Sequence, residues 1–202
     1  MGATKLLAER LMASANNYKG NKSTIFASVR FGNVLASRGS VVPIFLNQIK
    51  KGGPITITDP NMSRFVMSIS QSVNLILKAT IIAKGGEIFI LDMPALRIGD
   101  LAEVMSEMYA PIYGWNYRNI KINKIGMRPG EKYHEELMTH FEVGNARKFD
   151  GMYIISPDML AKNNAKNISD YNSSQARLLS KKEIKRILKN LKEVSEWVYV
   201  KR

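Results

Sequence analysis

Cysteine is absent from the 202 residues, and no apolar run is long enough to cross a bilayer. The first absence excludes disulfides and thiolate metal sites. The first residues also lack the basic region and apolar core of a signal peptide. These absences are compatible with a reducing setting, and we expect a cytoplasmic location for this chain without a membrane segment.

Two phosphate-binding motifs are also missing, the dinucleotide fingerprint G-x-G-x-x-G and the P-loop. The stretch HEELMTH is similar to the zinc motif H-E-x-x-H, but His134 and His140 are six residues apart. That spacing would place them on different faces of a helix. We therefore expect both histidines to be surface or partly packed residues rather than metal ligands.

Acidic residues are scarce relative to basic ones, and the formal net charge is +13. Such an excess is typical of proteins that bind nucleic acid, an acidic membrane surface or a phosphorylated small molecule. The excess is pronounced in residues 181–202, where Ile184, Ile187, Leu188 and Leu191 recur at helical spacing. No aromatic residues interleave with these lysines as a base-stacking platform. We interpret the tail as a solvated helix with one packed face, and we do not expect nucleic acid as a partner.

Strand and helix signals alternate along the chain, which favours an α/β class. Predicted strands cover 23–31, 54–58, 87–91, 119–126 and 152–156. Predicted helices cover 1–17, 41–51, 70–84 with Ser70 as its N-cap, 97–109, a segment beginning at YHEELM (133–138), and the tail. The remainder of 141–180 is expected to be irregular.

The loop SVRFGNVLASRGSVVP joins a predicted strand to a predicted helix. Asn33 can hydrogen-bond a phosphate or a sugar hydroxyl, and the free N–H groups of the following helix can face an anion. The alternative is an ordinary strand-to-helix loop in which glycine supplies unusual backbone angles.

Two further stretches carry candidate anion-binding arginines. In ITITDPNMSRF, Arg64 can fork onto a phosphate or simply pair with Asp59. In GMRPGEKYHEE, Arg128 precedes a Pro–Gly turn and can clamp a diphosphate, while Glu131 can accept two ribose hydroxyls. The alternative for the second stretch is a surface turn with a solvated ion pair.

Taken together, five stretches resemble the C-terminal part of an extended short-chain dehydrogenase/reductase. More narrowly, they resemble the polysaccharide-biosynthesis family of UDP-N-acetylglucosamine 4,6-dehydratases and related 4-epimerases. The stretches are MGATKLLAE, RFGNVLASRGSVVPIF, GGPITITDPNMSRFVMSI, KGGEIFILDM and GMRPGEKYHEEL. They occur in the family's order, and the similarity covers residue 1 to about residue 160.

The resemblance implies an organisation in which the N-terminal cofactor half is missing. Residues 1–40 would be a remnant of an NAD(P)-binding Rossmann domain. Residues 41–140 would be mainly a UDP-sugar binding domain, with a returning Rossmann strand near 86–92. Residues 141–202 would be a C-terminal extension with a basic helix. Met1 would then be an internal residue of a longer ancestral or full-length protein.

The resemblance also implies residue roles. Lys5 matches the lysine of the Y-x-x-x-K motif, a catalytic residue that also contacts the nicotinamide ribose of NAD or NADP. Met1 stands at the tyrosine position of that cofactor site, and the backbone of Val34 lies beside the nicotinamide. Six positions match the family's substrate site, namely Asn33, Val41, Thr58, Arg64, Arg128 and Glu131.

The expected function is the C-terminal portion of an NAD(P)-dependent UDP-N-acetylglucosamine 4,6-dehydratase, inactive alone. A UDP-sugar 4-epimerase is the enzymatic alternative, and the thioether of Met1, which carries no proton for that chemistry, argues against it. A non-catalytic UDP-sugar or nucleic-acid binding module is the third. We expect a UDP-sugar as ligand and either a missing N-terminal half or a homo-oligomer as partner.

Overall fold

The computed structural model describes residues 2–157, 171–191 and 194. Six helices lie within them: α1 (Gly2–Tyr18), α2 (Val41–Lys50), α3 (Ile69–Ile82), α4 (Ile98–Tyr109), α5 (His140–Val143) and α6 (Lys181–Asn190). Short 3₁₀ turns cover Pro111–Tyr113 and Tyr117–Asn119. No helix of this part of the chain is long and apolar enough to cross a membrane.

The strands are short and mixed in direction. They are β1 (Ser28–Arg30), β2 (Asn33–Val34), β3 (Ile55–Ile57), β4 (Ser63–Met67), β5 (Ile88–Leu91), β6 (Ala95–Arg97), β7 (Ile122–Lys124), β8 (Glu136–Met138), β9 (Ala146–Phe149), β10 (Met152–Ile155) and β11 (Tyr171–Asn172). The structure thus confirms the predicted α/β class, with parallel pairs between β1 and β5, β2 and β4, and β3 and β7.

The chain divides into two compact units, each assembled from three separate stretches. The first contains Met1–Phe31, Ser70–Asp92 and Glu136–Tyr171. The second contains Gly32–Ile69, Met93–Glu135 and Asn172–Arg202. The three-part functional division at residues 40 and 140 stays a prediction.

The first unit is built on a four-stranded sheet in the order β1-β5-β10-β9. Strands β1 and β5 run parallel, while β10 is antiparallel to both of its neighbours. The α3 side chains Leu75 and Ala79 pack against Phe89, Met152 and Ile154 of the sheet. This apolar layer explains why α3 forms here.

One buried arginine ties four elements of the first unit together. The Arg30 guanidinium donates to both carboxylate oxygens of Glu9 on α1 and of Glu142 on α5, at 2.7–2.9 Å. It also donates to the carbonyl oxygen of Leu137 on β8 at 2.7 Å. All five guanidinium N–H groups therefore have acceptors.

The second unit has the larger apolar core. It is formed by α2, α4 and α6 against β3, β4 and β6, with Phe45, Leu101 and Leu188 among its buried side chains. The helix α6 contributes Ile184 and Leu188 while its lysines stay exposed. Over 181–190 this confirms the prediction of a solvated helix with one packed face, and the rest of the tail lies outside the described residues, apart from Leu191 and Val194, which are also buried.

Several predicted boundaries are wrong, for identifiable reasons. The segment at YHEELM is not helical: 136–138 form β8, and the helix begins at His140 because Thr139 and Glu142 make a capping box there. The strand predicted at 23–31 is only Ser28–Arg30, since Phe26 pairs with the side chain of Asn16 instead.

Other differences are smaller. Helix α3 begins at Ile69, so Ser70 lies inside its first turn rather than at the N-cap. Strand β9 was not predicted, because its residues are mostly exposed and its pairing with β10 is through the backbone. The predicted helices over 41–51 and 97–109 are confirmed by α2 and α4.

Candidate functional site

A pocket of about 250 Å³ in the second unit brings together most of the predicted substrate residues. Those that line it are Asn33, Val41, Thr58, Arg64 and Glu131, together with Val34, which is predicted as a cofactor contact. They come from four separate stretches of the chain. Its apolar wall includes Phe45, Val66 and Leu101, and its remaining polar side chains are Ser37, Ser40 and Thr56.

The Asn33–Val34 segment is fixed against β4 by a parallel backbone pairing with Val66 and Met67. The residue before it, Gly32, has no room for a side chain, because an added Cβ would lie 2.8 Å from the Cβ of Phe65. Only glycine allows two backbone segments to approach each other this closely. Gly32 therefore allows the Asn33–Val34 segment to lie close to β4 beside the pocket.

The amino end of α2 opens at the same pocket. Ser40 is its N-cap residue, yet the hydroxyl makes no capping hydrogen bond and is a buried oxygen without a partner. The first backbone N–H groups of a helix lack intrahelical acceptors and carry partial positive charge. This end of α2 therefore offers donors to an anion, as the loop sequence predicts.

Among the described residues, Glu131 is the only carboxylate that lines the pocket, and three groups contact it. The Thr58 hydroxyl donates to Oε1 at 3.2 Å, and the backbone N–H of Arg128 donates to Oε2 at 3.2 Å. The Arg64 guanidinium lies 3.7 Å from Oε1. A carboxylate has about four acceptor positions. Glu131 therefore keeps capacity to accept hydroxyl donors from a ligand.

Arg64 is already engaged by the protein. Its Nη1 donates to the carbonyl oxygens of Ser63 and Tyr133 at 2.8 and 3.1 Å, and its Nη2 donates to that of Lys132 at 2.8 Å. The guanidinium thereby anchors the segment that carries Glu131, and its charge remains next to the pocket.

Arg128 does not line the pocket, although its backbone contacts Glu131. Its side chain is exposed. The structure therefore separates two arginines that the sequence placed in similar roles: Arg64 is held by carbonyl oxygens, and Arg128 is on the surface.

The turn after β3 is held by Asp59. This carboxylate accepts hydrogen bonds from Lys124, from the backbone N–H of Asn61 at 2.9 Å and from the Tyr133 hydroxyl at 2.8 Å. These bonds, that of Lys124 first, lower the pKa of Asp59 to about 2. Asp59 thus pairs with Lys124 and not with Arg64, the partner considered from the sequence.

His134 belongs to a polar cluster beside this turn. Its Nδ1 lies 2.7 Å from the Ser63 hydroxyl, which lies 2.8 Å from the Ser173 hydroxyl. Across 2–157 and 171–191, no group of three or more His, Asp or Glu side chains is arranged to hold a metal ion. Ser63 and Ser173 are fully enclosed, so this cluster fastens the 133–135 segment to β4.

The predicted cofactor contacts are not gathered in this pocket, apart from Val34. Lys5 lies exposed on α1 of the first unit, and Met1 lies outside the described residues. The 202 residues contain no glycine-rich phosphate loop.

Sequence reasoning missed Ser40, Ser37 and Thr56 as lining residues. The sequence does indicate a role for Ser40, since a serine directly before an apolar helix is typical of an N-cap. It indicates none for Thr56, because the position of that residue depends on hydrogen bonds with the side chain of Gln48, at 2.7 and 3.1 Å.

Comparison with known proteins identifies the relatives of the chain. A family model described as "Polysaccharide biosynthesis protein" matches residues 1–157. An uncharacterised membrane protein of Methanocaldococcus jannaschii is 54% identical over 95% of this chain and 57% of its own length. A UDP-glucose 4-epimerase of Rickettsia canadensis is 37% identical over 97% of this chain and 58% of its own length.

A further relative and a solved structure are also similar to this chain. The capsular polysaccharide biosynthesis protein CapD of Staphylococcus aureus is 44% identical over 76% of this chain and 25% of its own length. The crystal structure of Pen from Bacillus thuringiensis superposes with a TM-score of 0.85 at 49% identity, covering 94% of this chain and 57% of that one. The chain thus spans less than two thirds of the length of these relatives, and it belongs to the polysaccharide-biosynthesis family of extended short-chain dehydrogenases/reductases.

Proposed function

We propose that this chain is the UDP-sugar binding portion of a sugar-nucleotide 4,6-dehydratase, with UDP-N-acetylglucosamine as the substrate class. The observation that carries the proposal is the convergence of Asn33, Val41, Thr58, Arg64 and Glu131 on one pocket. Enzymes of this family generally use NAD(P), which, when bound, would supply the hydride acceptor and donor for the sugar.

The pocket residues have separable tasks in this proposal. Glu131 accepts the ribose hydroxyls with its remaining lone pairs. The amino end of α2 and the charge of Arg64 face the diphosphate, where positive potential is needed. The apolar wall formed by Val41 and its neighbours covers the uracil.

The chain is expected to be inactive alone, because its residues do not make up the cofactor site. The leucines of α1 support a requirement for further polypeptide: Leu6, Leu7 and Leu11 are each more than half exposed. Apolar side chains at helical spacing normally pack against a partner surface. That surface would belong to the cofactor-binding half or to a second copy.

Calorimetric titration with UDP-N-acetylglucosamine tests the proposal. We expect Glu131→Gln to weaken binding about tenfold, since one or more charge-assisted hydrogen bonds are lost. Glu107→Gln, an exposed carboxylate on α4, is the matched control and should leave binding unchanged. No binding by the unmodified chain, or equal losses in both variants, would contradict the proposal.

The second candidate is a UDP-sugar 4-epimerase, favoured by the Rickettsia relatives of that name. A chimera that joins the first part of Pen to this chain distinguishes the two. Mass spectrometry of the product should show loss of one water for a dehydratase and an unchanged mass for an epimerase. Sustained product release by this chain alone, with NAD(P) added, would overturn the expectation that it is inactive.

A further inference from the structure

We propose that a cleft in the first unit, distinct from the pocket above, binds a small organic phosphate. The cleft has a volume of about 770 Å³ and lies between the second half of α1, the segment after α3, and strands β5 and β10. None of the residues predicted from the sequence to contact substrate or cofactor lines it. Its size falls in the range of small-molecule sites, roughly 300–1,000 Å³.

Three cationic side chains line the cleft: Arg10 from α1, Lys84 from the segment after α3, and Arg147 from β9. They come from three stretches that are far apart in sequence. None of the three pairs with a carboxylate in the described part of the chain, whereas Lys78 and Lys148 of the same unit pair with Asp150 and Asp92. The Arg147 guanidinium also lies 5.5 Å from the centre of the Phe149 ring, a contact that leaves its charge without a counter-ion. Cations without a carboxylate partner that line one concavity favour an anionic ligand.

The one carboxylate among the described lining residues does not neutralise these cations. Glu87 is buried, and its two oxygens accept the backbone N–H groups of Lys84 at 3.0 Å and Gly85 at 2.7 Å. The Glu87 oxygens that could contact a cation are therefore hydrogen-bonded to the segment after α3 instead. The cleft keeps a surplus of positive charge.

The wall that carries Lys84 is fixed in position. A Cβ at Gly85 would lie 2.8 Å from Oδ1 of Asn16, and one at Gly86 would lie 2.7 Å from Cγ of Pro157. The Asn16 amide also donates to the carbonyl oxygen of Phe26 at 2.8 Å and accepts the Phe26 N–H at 3.1 Å. A site held in advance loses little entropy when a ligand binds.

The lining of the cleft indicates the class of ligand. Its apolar part comes from Ala13, Ile82 and Pro157, which are not fully buried, with Phe89 and Ile154 buried behind the surface, while Ser14, Asn17 and Ser156 add hydroxyl and amide groups. Apolar and cationic side chains in one cleft fit a phosphate or diphosphate ester with an organic body. A bare phosphate would use only the cationic side chains, so the ester should bind more tightly.

Titration of the purified chain with inorganic pyrophosphate and with AMP tests this inference, with nitrogen–proton NMR spectra to locate each probe. We expect both to shift the amide signals of 10–17, 84–89 and 147–156, and AMP to bind more tightly than pyrophosphate. Signals of 33–41 and 128–131 can shift as well, because the first pocket is proposed to bind a diphosphate, and such shifts do not test this cleft. Shifts confined to that second set, or no shifts at all, would overturn the proposal.

A triple variant separates a site from a general charge effect. Arg10→Gln, Lys84→Gln and Arg147→Gln together should weaken AMP binding at least about tenfold, because the charge-assisted contacts are removed. The control removes three exposed charges from α6, with Lys182→Gln, Lys185→Gln and Arg186→Gln, and should retain the affinity. Equal losses in the two variants would refute the proposed site. A melting temperature equal to that of the unmodified chain would show that unfolding is not the cause of the weaker binding.

Discussion

At the residue scale, a largely buried group of three charges is centred on Arg30. Its two carboxylate partners are both largely buried, with side-chain exposures of 13% for Glu9 and 10% for Glu142. Removing one member of a buried charge group is costly because its partners stay behind without compensation. Loss of Arg30 should therefore cost more stability than loss of a cation from an ion pair on the surface.

Replacing Arg30 with methionine should lower the free energy of unfolding by at least about 2 kcal/mol, since Glu9 and Glu142 would be left facing each other. Urea denaturation measures the change. Lys78→Met, which removes the more exposed pair with Asp150, should cost no more than about 1 kcal/mol. A smaller loss for Arg30→Met than for Lys78→Met would contradict this ranking.

Acid should destabilise the chain through Glu142. Burial opposes its ionisation, but hydrogen bonds from Arg30 and Thr139 prevail and lower its pKa below the ordinary 4.5. A carboxyl with a lowered folded-state pKa stabilises the fold above its unfolded pKa, and that contribution is lost as the pH falls below about 4.5. Asp59, with a pKa of about 2, adds a loss over the range from about 3.8 down to 2.

Urea titrations at several acidic pH values test this. Glu142→Gln should be less stable than the unmodified chain at neutral pH and should lose less stability on acidification. Glu107→Gln should keep the original slope. An unchanged slope in Glu142→Gln would show that this carboxyl does not carry the acid sensitivity.

At the element scale, two helices follow a serine at the N-cap, and one of these serines makes a capping hydrogen bond while the other does not. The Ser180 hydroxyl accepts the backbone N–H of Glu183, and the Glu183 carboxylate accepts that of Ser180, which makes a capping box at α6. Ser40, before α2, makes no such bond. The sequence alone cannot distinguish them, although the glutamate three residues after Ser180 is the readable part of a box.

Ser180→Ala should lower the free energy of unfolding by about 1 kcal/mol, through loss of the cap. Ser40→Ala should be neutral or stabilising, because it removes a buried hydroxyl without a partner. Thermal or urea unfolding of the two variants gives the comparison. Ser40→Ala should nevertheless weaken UDP-N-acetylglucosamine binding if the hydroxyl serves the ligand.

The elements also show what sequence patterns can and cannot predict. Periodic apolar residues predicted α2 and α4 because packing and pattern agree there. The β8 segment contains Leu137 and Met138 side by side, which fits a strand as well as a helix, and contacts distant in sequence decide between them. Five of the six predicted substrate residues line one pocket. The hydrogen bonds from Arg64 to backbone carbonyl oxygens, however, have no local signature in the sequence.

Across the whole molecule, each unit depends on stretches that are distant in sequence. The α6 helix, in the last stretch, buries Ile184 and Leu188 in a core that also contains Leu179, Leu191, Val194 and residues from within 35–122. Leu188→Ala should therefore cost about 2–5 kcal/mol. Hydrogen exchange should show faster exchange in 32–69 and 93–135 as well as in α6, whereas exposed Lys185→Ala should not. Faster exchange confined to α6 would contradict a shared core.

The three-stretch composition of each unit has a consequence for how the protein is made. During synthesis the chain passes from one unit to the other five times, so neither unit has all of its segments until late in translation. The core of the second unit is incomplete until α6 has been synthesised, and α6 leaves the ribosome after every other described element. Until then its apolar side chains are uncovered, so we expect the nascent chain to rely on chaperones more than a protein whose domains are continuous in sequence.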